Sequence, residues 1–296
     1  MLKWKFSTRF GIRPRETPPP TVRPDIPKLD RSALGLTWVG HATFLVQTGG
    51  MTLLTDPMWS ERASPVAFAG PRRVVSAALP FDELPPIDLV LISHNHYDHL
   101  DSRTVRRLAQ THPRARWVVP LGLSTFVRQR GVADVRELDW WETATEGPLE
   151  IGCTPAQHFS ARTMADRNRS LWCGFTVRAA GRRLYFAGDT AYHPEFARIA
   201  ERFGPFDAAL LPIGAYEPRW FMRVVHMNPA DAVQAFIDLR RGAPATRLMV
   251  GMHWGTFRLA DEPVLEPPIR VRDAWRAAGL ASEDLWVPVH GESRVI

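Results

Sequence analysis

Between Leu91 and Asp101 the chain reads LISHNHYDHLD, three histidines and two aspartates within eleven residues. In extended backbone, residues two apart point the same way, so His94 and His96 can grip one ion. Asp98 and His99 follow where a strand gives way to a helix, so the chain can turn them toward a neighbouring point. Borderline cations such as Zn2+ accept imidazole nitrogen and carboxylate oxygen at roughly 2.0–2.2 Å. A solvated polar loop, or histidines capping the next helix, is the plain alternative. Three of the ten histidines in the chain at this spacing favour metal binding.

Four local ligands do not complete two sites, so further ligands are expected at other strand ends. His158 ends TPAQHFS, Asp189 ends LYFAGDT and His253 ends LMVGMHWG, each after a run with strand character. Any one of them alone reads equally well as a loop or core residue. Together with the first cluster they make seven ligands for two ions.

The elements that must position these groups follow from the apolar pattern. IDLVLISH is a short, continuous apolar strand whose carboxyl end delivers the histidine cluster. From Asp101 or Ser102 the pattern turns helical, with Val105, Leu108 and Ala109 on one face and Pro113 as the stop. Gly49-Gly50 lies between two β-rich runs and predicts a hairpin. ARWVVP and LEIGCTPAQHF read as strands around a short helix at LSTFVRQRG. The second half repeats this grammar: a strand pair at LWCGFTV and RRLYFAGDT, then a helix closed by Gly204, then DAALLPIGAY as a strand. NPADAVQAFIDLRRG follows as a helix with Asn228 as cap and Pro229 at its first position. The strand RLMVGMHWG, the helix IRVRDAWRAAG and the strand LWVPVHG complete the chain. Two successive halves running from strands to helices predict an α/β fold, a four-layer αββα sandwich. Prolines crowd residues 14–30, so residues 1–33 are expected to form an extended arm and residues 34–296 a single domain.

Composition narrows the class. The 296 residues are 45% hydrophobic and 23% charged, as in a soluble globular protein. No window approaches eighteen apolar residues, and Lys3, Lys5 and Arg9 break up MLKWKFSTRF, so neither a membrane span nor a signal peptide is expected, and the cytoplasm is the expected location. Cys153 and Cys173 are the only cysteines, too few for a disulfide framework. The net charge of +6 comes almost wholly from scattered arginines, so a nucleic-acid partner is not expected, whereas peripheral contact with a membrane is compatible with it.

The order HxHxDH, His, Asp, His is similar to the metallo-β-lactamase superfamily of binuclear hydrolases. TWVGHATFLV, LTDPMWSERASP, HNHYDHLD, FAGDTAYHPEF, GAYEPRWFM and HGESR resemble the N-acylphosphatidylethanolamine-hydrolysing phospholipase D family, from about Leu36 to Arg294. The resemblance implies one metal held by His94, His96 and His158, a second by Asp98, His99 and His253, and Asp189 bridging. It implies two zinc ions, although imidazole and carboxylate also suit iron and manganese. The reaction it implies is attack of a metal-activated hydroxide on a phospholipid phosphodiester, giving phosphatidic acid and an N-acylethanolamine. Asp98 would also orient the nucleophile. Tyr97, inside the ligand run, is expected to reach a substrate oxygen or to pack, and His226 to touch substrate or to brace the turn before Asn228. Trp220, with Phe221 and Met222, is expected to line an acyl-chain entrance, to insert at an interface, or to belong to the core. Mammalian members of the family carry glutamine where Val225 stands, which removes a side-chain donor from any headgroup recognition. A homodimer is implied only by the resemblance. His41 and His290 are expected to be buried braces of loops, and His112 and His193 surface residues. The alternatives are hydrolysis of another ester, lactone or soluble phosphodiester on the same fold, and a non-catalytic binding module.

Overall fold

Strands that are apolar at every position form where both of their faces are covered. The computed structural model, which describes residues 17–296, places such strands in two seven-stranded sheets. The first contains β1 (Leu34–Gly40), β2 (Thr43–Thr48), β3 (Met51–Thr55), β4 (Leu89–Leu91), β5 (Arg116–Pro120), β6 (Val135–Leu138) and β14 (Ser293–Val295), in the order β14-β1-β2-β3-β4-β5-β6. The second contains β7 (Thr143–Glu146), β8 (Leu149–Thr154), β9 (Gly174–Ala179), β10 (Arg182–Phe186), β11 (Ala208–Pro212), β12 (Leu248–Met252) and β13 (Leu285–Trp286), in the order β13-β12-β11-β10-β9-β8-β7. In both, antiparallel hairpins at one side give way to parallel strands toward the other.

Alternation along β4 and β5 shows how the layers are built. Leu89, Leu91 and Val118 face the second sheet, in the large core that also holds Phe175, Phe186 and Leu210. Val90, Ile92, Trp117 and Val119 face the other way, onto α1 (Ser102–Thr111) and α2 (Ser124–Arg128), through Val105, Leu108 and Val127. The second sheet is covered by α3 (Phe196–Phe203), α5 (Pro229–Gly242) and α6 (Glu266–Ala277), which contribute Ile199, Phe236 and Trp275. The order of layers is therefore helix, sheet, sheet, helix, the αββα sandwich expected from the sequence. A short helix, α4 (Arg219–Met222), lies between β11 and α5.

Local signals explain the element ends. Asp101 caps α1 by accepting from the Arg103 amide, and Asn228 and Asp231 form a reciprocal capping box around Pro229 at the start of α5. Residues 17–33 carry no helix or strand; Thr21 bridges His290, the Val22 amide donates to the His290 carbonyl at 2.8 Å, and Pro19 is buried. The remainder of the expected arm and the MLKWKFSTRF segment lie outside the described residues.

Candidate metal centre

Parallel strands end together, and the loops that leave their carboxyl ends share one edge. β4 leads to His94, His96, Asp98 and His99; β8 leads to His158, β10 to Asp189, and β12 to His253. Past Leu91 the chain stays extended to Asn95, then makes one helical turn in which the His99 and Leu100 amides both donate to the His96 carbonyl. That turn brings Asp98 and His99 beside His253. Gly188 brings Asp189 in close: its φ is +61°, and a Cβ there would sit 2.7 Å from Ser93 Cβ and 2.8 Å from the Cys173 carbonyl oxygen.

All seven expected ligands come together, in two groups. His94 Nε2 lies 2.8 Å from His96 Nδ1, which is 3.1 Å from His158 Nε2. In the other group, Asp98 Oδ2 is 3.2 Å from His99 Nε2 and 3.5 Å from His253 Nε2, and the two imidazole nitrogens are 3.2 Å apart. Asp189 stands between them. Its Oδ2 is 3.1 Å from His99 Nε2, 3.8 Å from His158 Nε2 and 3.9 Å from His94 Nε2, while Oδ1 is 3.1 Å from His253 Nε2.

The outer nitrogens of three imidazoles are fixed by acceptors, which decides their tautomers. His158 Nδ1 donates to the Val225 carbonyl at 2.8 Å and His99 Nδ1 to Asp56 Oδ2 at 2.7 Å. The Ser93 hydroxyl donates to Asp56 Oδ2 at 2.6 Å and so accepts from His94 Nδ1 at 2.9 Å. Each of these rings, when neutral, therefore turns an Nε2 lone pair inward. Neutral nitrogens this close have no proton to share among all of them, and the chemistry they fit is coordination of a cation.

Charge leads to the same conclusion. Burial disfavours ionised Asp189 and Asp98, but the surrounding imidazoles outweigh it and hold both carboxyls well below the usual range. Burial likewise opposes charge on His99 and His253, yet the two carboxylates lift His99 well above the usual imidazole range and His253 to about 9. His94, His158 and His226 are lowered and His96 falls to about 3, with burial as the main cause in each. A buried pair of carboxylates that recruits protons onto two neighbouring imidazoles is a place that demands positive charge.

Two residues missed as parts of the centre stand directly behind it. Asp56, wholly buried at a φ of +34°, accepts from the Ser93 amide, the Ser93 hydroxyl and His99. His41 was expected to brace a loop, but its Nε2 donates to Asp98 Oδ2 at 2.8 Å; burial lowers its pKa to about 3, which keeps it neutral. His290 matches its expectation, buried and bonded to Thr256 Oγ1 at 2.8 Å. His193 does not. It is buried against Phe196, and burial lowers it to about 4. His112 is half-buried.

The three residues expected to face substrate are placed differently. His226 is buried, with Nε2 4.0 Å from Asp189 Oδ2 and with Nδ1 unpaired, so it faces the centre. Trp220 is 69% exposed, which excludes the core reading and leaves it on the surface of α4. Tyr97 is half-buried, and its hydroxyl donates to the Arg162 carbonyl at 2.9 Å instead of pointing into the cluster. The substitution at Val225 leaves its backbone task intact, because it is the carbonyl that orients His158.

The family model of the beta-lactamase superfamily domain matches residues 51–254. Along 265 residues the chain is 43% identical to N-acyl-phosphatidylethanolamine-hydrolyzing phospholipase D 1 of Caenorhabditis elegans, covering 86% of this chain and 72% of that one. The chain belongs to this phospholipase D family of the beta-lactamase superfamily. It is 37% identical to the mitochondrial member from Saccharomyces cerevisiae, covering 78% of this chain and 49% of that protein. Among solved structures, Igni18 of Ignicoccus hospitalis, described as a metallo hydrolase, superposes with a TM-score of 0.66 at 23% identity over 89% of this chain and 98% of its own, a likeness of fold. The family member is thus a hydrolase of the metal-dependent kind, and its His and Asp cluster is one that can hold metal.

Proposed function

We propose that the protein is a phosphodiesterase of phospholipase D type that hydrolyses N-acylphosphatidylethanolamine, or a related phospholipid, to phosphatidic acid and an N-acylethanolamine. The observation that carries this reading is the convergence of seven ligand side chains, with Asp189 between the two groups, in a chain 43% identical to a relative named for that reaction. His94, His96 and His158 would hold one zinc ion, Asp98, His99 and His253 the other, with Asp189 shared. Bound there, two such ions supply Lewis acidity toward phosphate oxygens and lower the pKa of water.

The chain's own groups complete the chemistry. Asp98 has the most exposed carboxylate of the centre, at 12% of its side chain. One of its oxygens is held by His41, which leaves the other to orient an attacking water. His226, kept neutral by burial, offers one N–H to a phosphate oxygen beside Asp189. No described helix is long and apolar enough to cross a membrane, so contact with lipid would fall to surface side chains such as Trp220 on α4. The test is release of phosphatidic acid from N-acylphosphatidylethanolamine vesicles by metal-loaded protein. Turnover of a soluble diester with the vesicles untouched would replace the lipid reading by that of a soluble phosphodiesterase.

A further inference from the structure

Outside the metal centre, beside the ligand loop, a cavity of about 360 Å3 opens between the start of α1 and the loop at residues 60–67. Tyr97 is the only residue of the ligand turn that lines it. Five arginines, Arg62, Arg103, Arg106, Arg130 and Arg162, face it against two carboxylates, Glu61 and Asp101. The five guanidiniums outnumber the two carboxylates. Glu61 is paired with Arg72 at 2.8 Å, and Asp101 is occupied by the Ser60 amide, the Arg103 amide and the Thr104 hydroxyl. Arg103 and Arg106 are exposed on the first turns of α1 and form no ion pair among the described residues.

The deeper arginines are held in place before any ligand arrives. Arg162 lies over the Tyr97 ring at 4.0 Å and the Phe126 ring at 4.7 Å, and donates to the Asn95 and Leu100 carbonyls. Arg130 stacks on Phe126 and donates to the Ser102 hydroxyl. Burial and the nearby Arg106 both disfavour its charge. Cations in excess of the acids beside them make a site for an anion, and guanidinium forks suit the several oxygens of a phosphate.

The rim indicates the source of that anion. Val66 lines the cavity and is 38% exposed, and Phe68, two residues on, is 84% exposed. An apolar rim beside a cationic pocket matches a bilayer, where side chains enter the acyl boundary while arginines meet headgroups. We propose that the cavity is a second anion site that takes the phosphate monoester headgroup of phosphatidic acid presented by a membrane. The inference leans on the phospholipase D reading only in that this headgroup is also that reaction's lipid product.

The test needs no turnover. Metal-loaded protein is floated with phosphatidylcholine vesicles carrying either phosphatidic acid or, at equal surface charge, phosphatidylserine. Phosphatidic acid should be preferred, and the double variant Arg103→Ala/Arg106→Ala should lower partitioning by about 30-fold, from roughly 1 kcal/mol per arginine. Both side chains are solvent-facing, so metal content and the unfolding transition should match the wild type. Equal binding of the two vesicle types, or undiminished binding by the double variant, overturns the proposal. In a lipid-free arm, inorganic phosphate is titrated by calorimetry; saturable binding that depends on the same two arginines would assign the cavity to soluble phosphate and overturn the lipid source. Because hydrolysis is not measured, failure here leaves the phosphodiesterase reading intact, and failure of that reading leaves this site intact.

Discussion

Asp56 is not itself an expected ligand but sets the tautomers of two that are, which makes Asp56→Asn a sharp perturbation. The carboxylate only accepts, so it fixes His99 Nδ1 as a donor, and by taking the Ser93 hydroxyl proton it fixes His94 Nδ1 as a donor as well. Asparagine keeps the volume and one acceptor, enough for the Ser93 amide 2.7 Å from Oδ1, but places N–H groups where Oδ2 stands. His99 must then accept at Nδ1 and carry its proton on Nε2, 3.1 Å from Asp189, where its lone pair is needed. Loss of such a supporting bond costs about 10–100-fold in metal affinity, or about 1.4–2.7 kcal/mol. Zinc affinity measured by chelator competition should fall by that factor. Asp56→Ala instead strands three buried donors, at about 1–3 kcal/mol each, and should unfold earlier. Wild-type zinc affinity in Asp56→Asn would refute the tautomer argument.

Further expectations follow from the same geometry. His41→Ala removes the bond to Asp98 and should weaken one of the two zinc equivalents by about 10–100-fold while the other titrates normally; uniform weakening of both would contradict it. His193 is neutral in the fold at about 4 but titrates near 6.5 when unfolded, so the unfolded state binds more protons between those values. Stability is therefore intact above pH 6.5 and falls as pH drops toward 4, by about 3 kcal/mol in all. Urea midpoints of His193→Gln should show a shallower decline than the wild type over that window. Gly188→Ala adds a Cβ against Ser93 and Cys173 at a positive φ, a backbone penalty of roughly 1–2 kcal/mol before the clash. Its residual folded protein should bind less metal than the wild type, because Asp189 is displaced; an unchanged metal content in the folded fraction would argue that this close approach is not needed.

The strands legible in the sequence are those buried on both faces, where LVL of β4 and WVV of β5 alternate between two cores and no polar residue interrupts them. Helix α5 announced its own start, since the cap Asn228 and Pro229 act locally. The strands that gave no signal are edge or near-edge ones. β6 and β7, VREL and TATE, mix polar with apolar residues because part of each faces solvent, and the three-residue β14 pairs only with β1. IDLVLISH was expected as one strand, yet pairing stops at Leu91 and the following residues run extended without a full ladder.

The ligands were legible for a physical reason: each follows an apolar run, and strand ends converge at one edge. The groups that hold them were not. Asp56, before a proline, looks like a turn residue, and its meaning comes from partners 37 and 43 positions away. His41 is 57 residues from Asp98. His193 and Trp220 show the limit of reading burial from type alone, since the histidine lies under Phe196 while the tryptophan faces solvent.

The central claim is that side chains brought from four strand ends hold two cations on which hydrolysis depends. Elemental analysis of protein equilibrated with zinc and desalted, run in parallel with phosphatidic acid release, tests it directly on the wild type and on His253→Ala. The account predicts two equivalents in the wild type, and one equivalent with activity lost in a folded variant. Substoichiometric zinc in the wild type, or hydrolysis that persists after chelation, would contradict it.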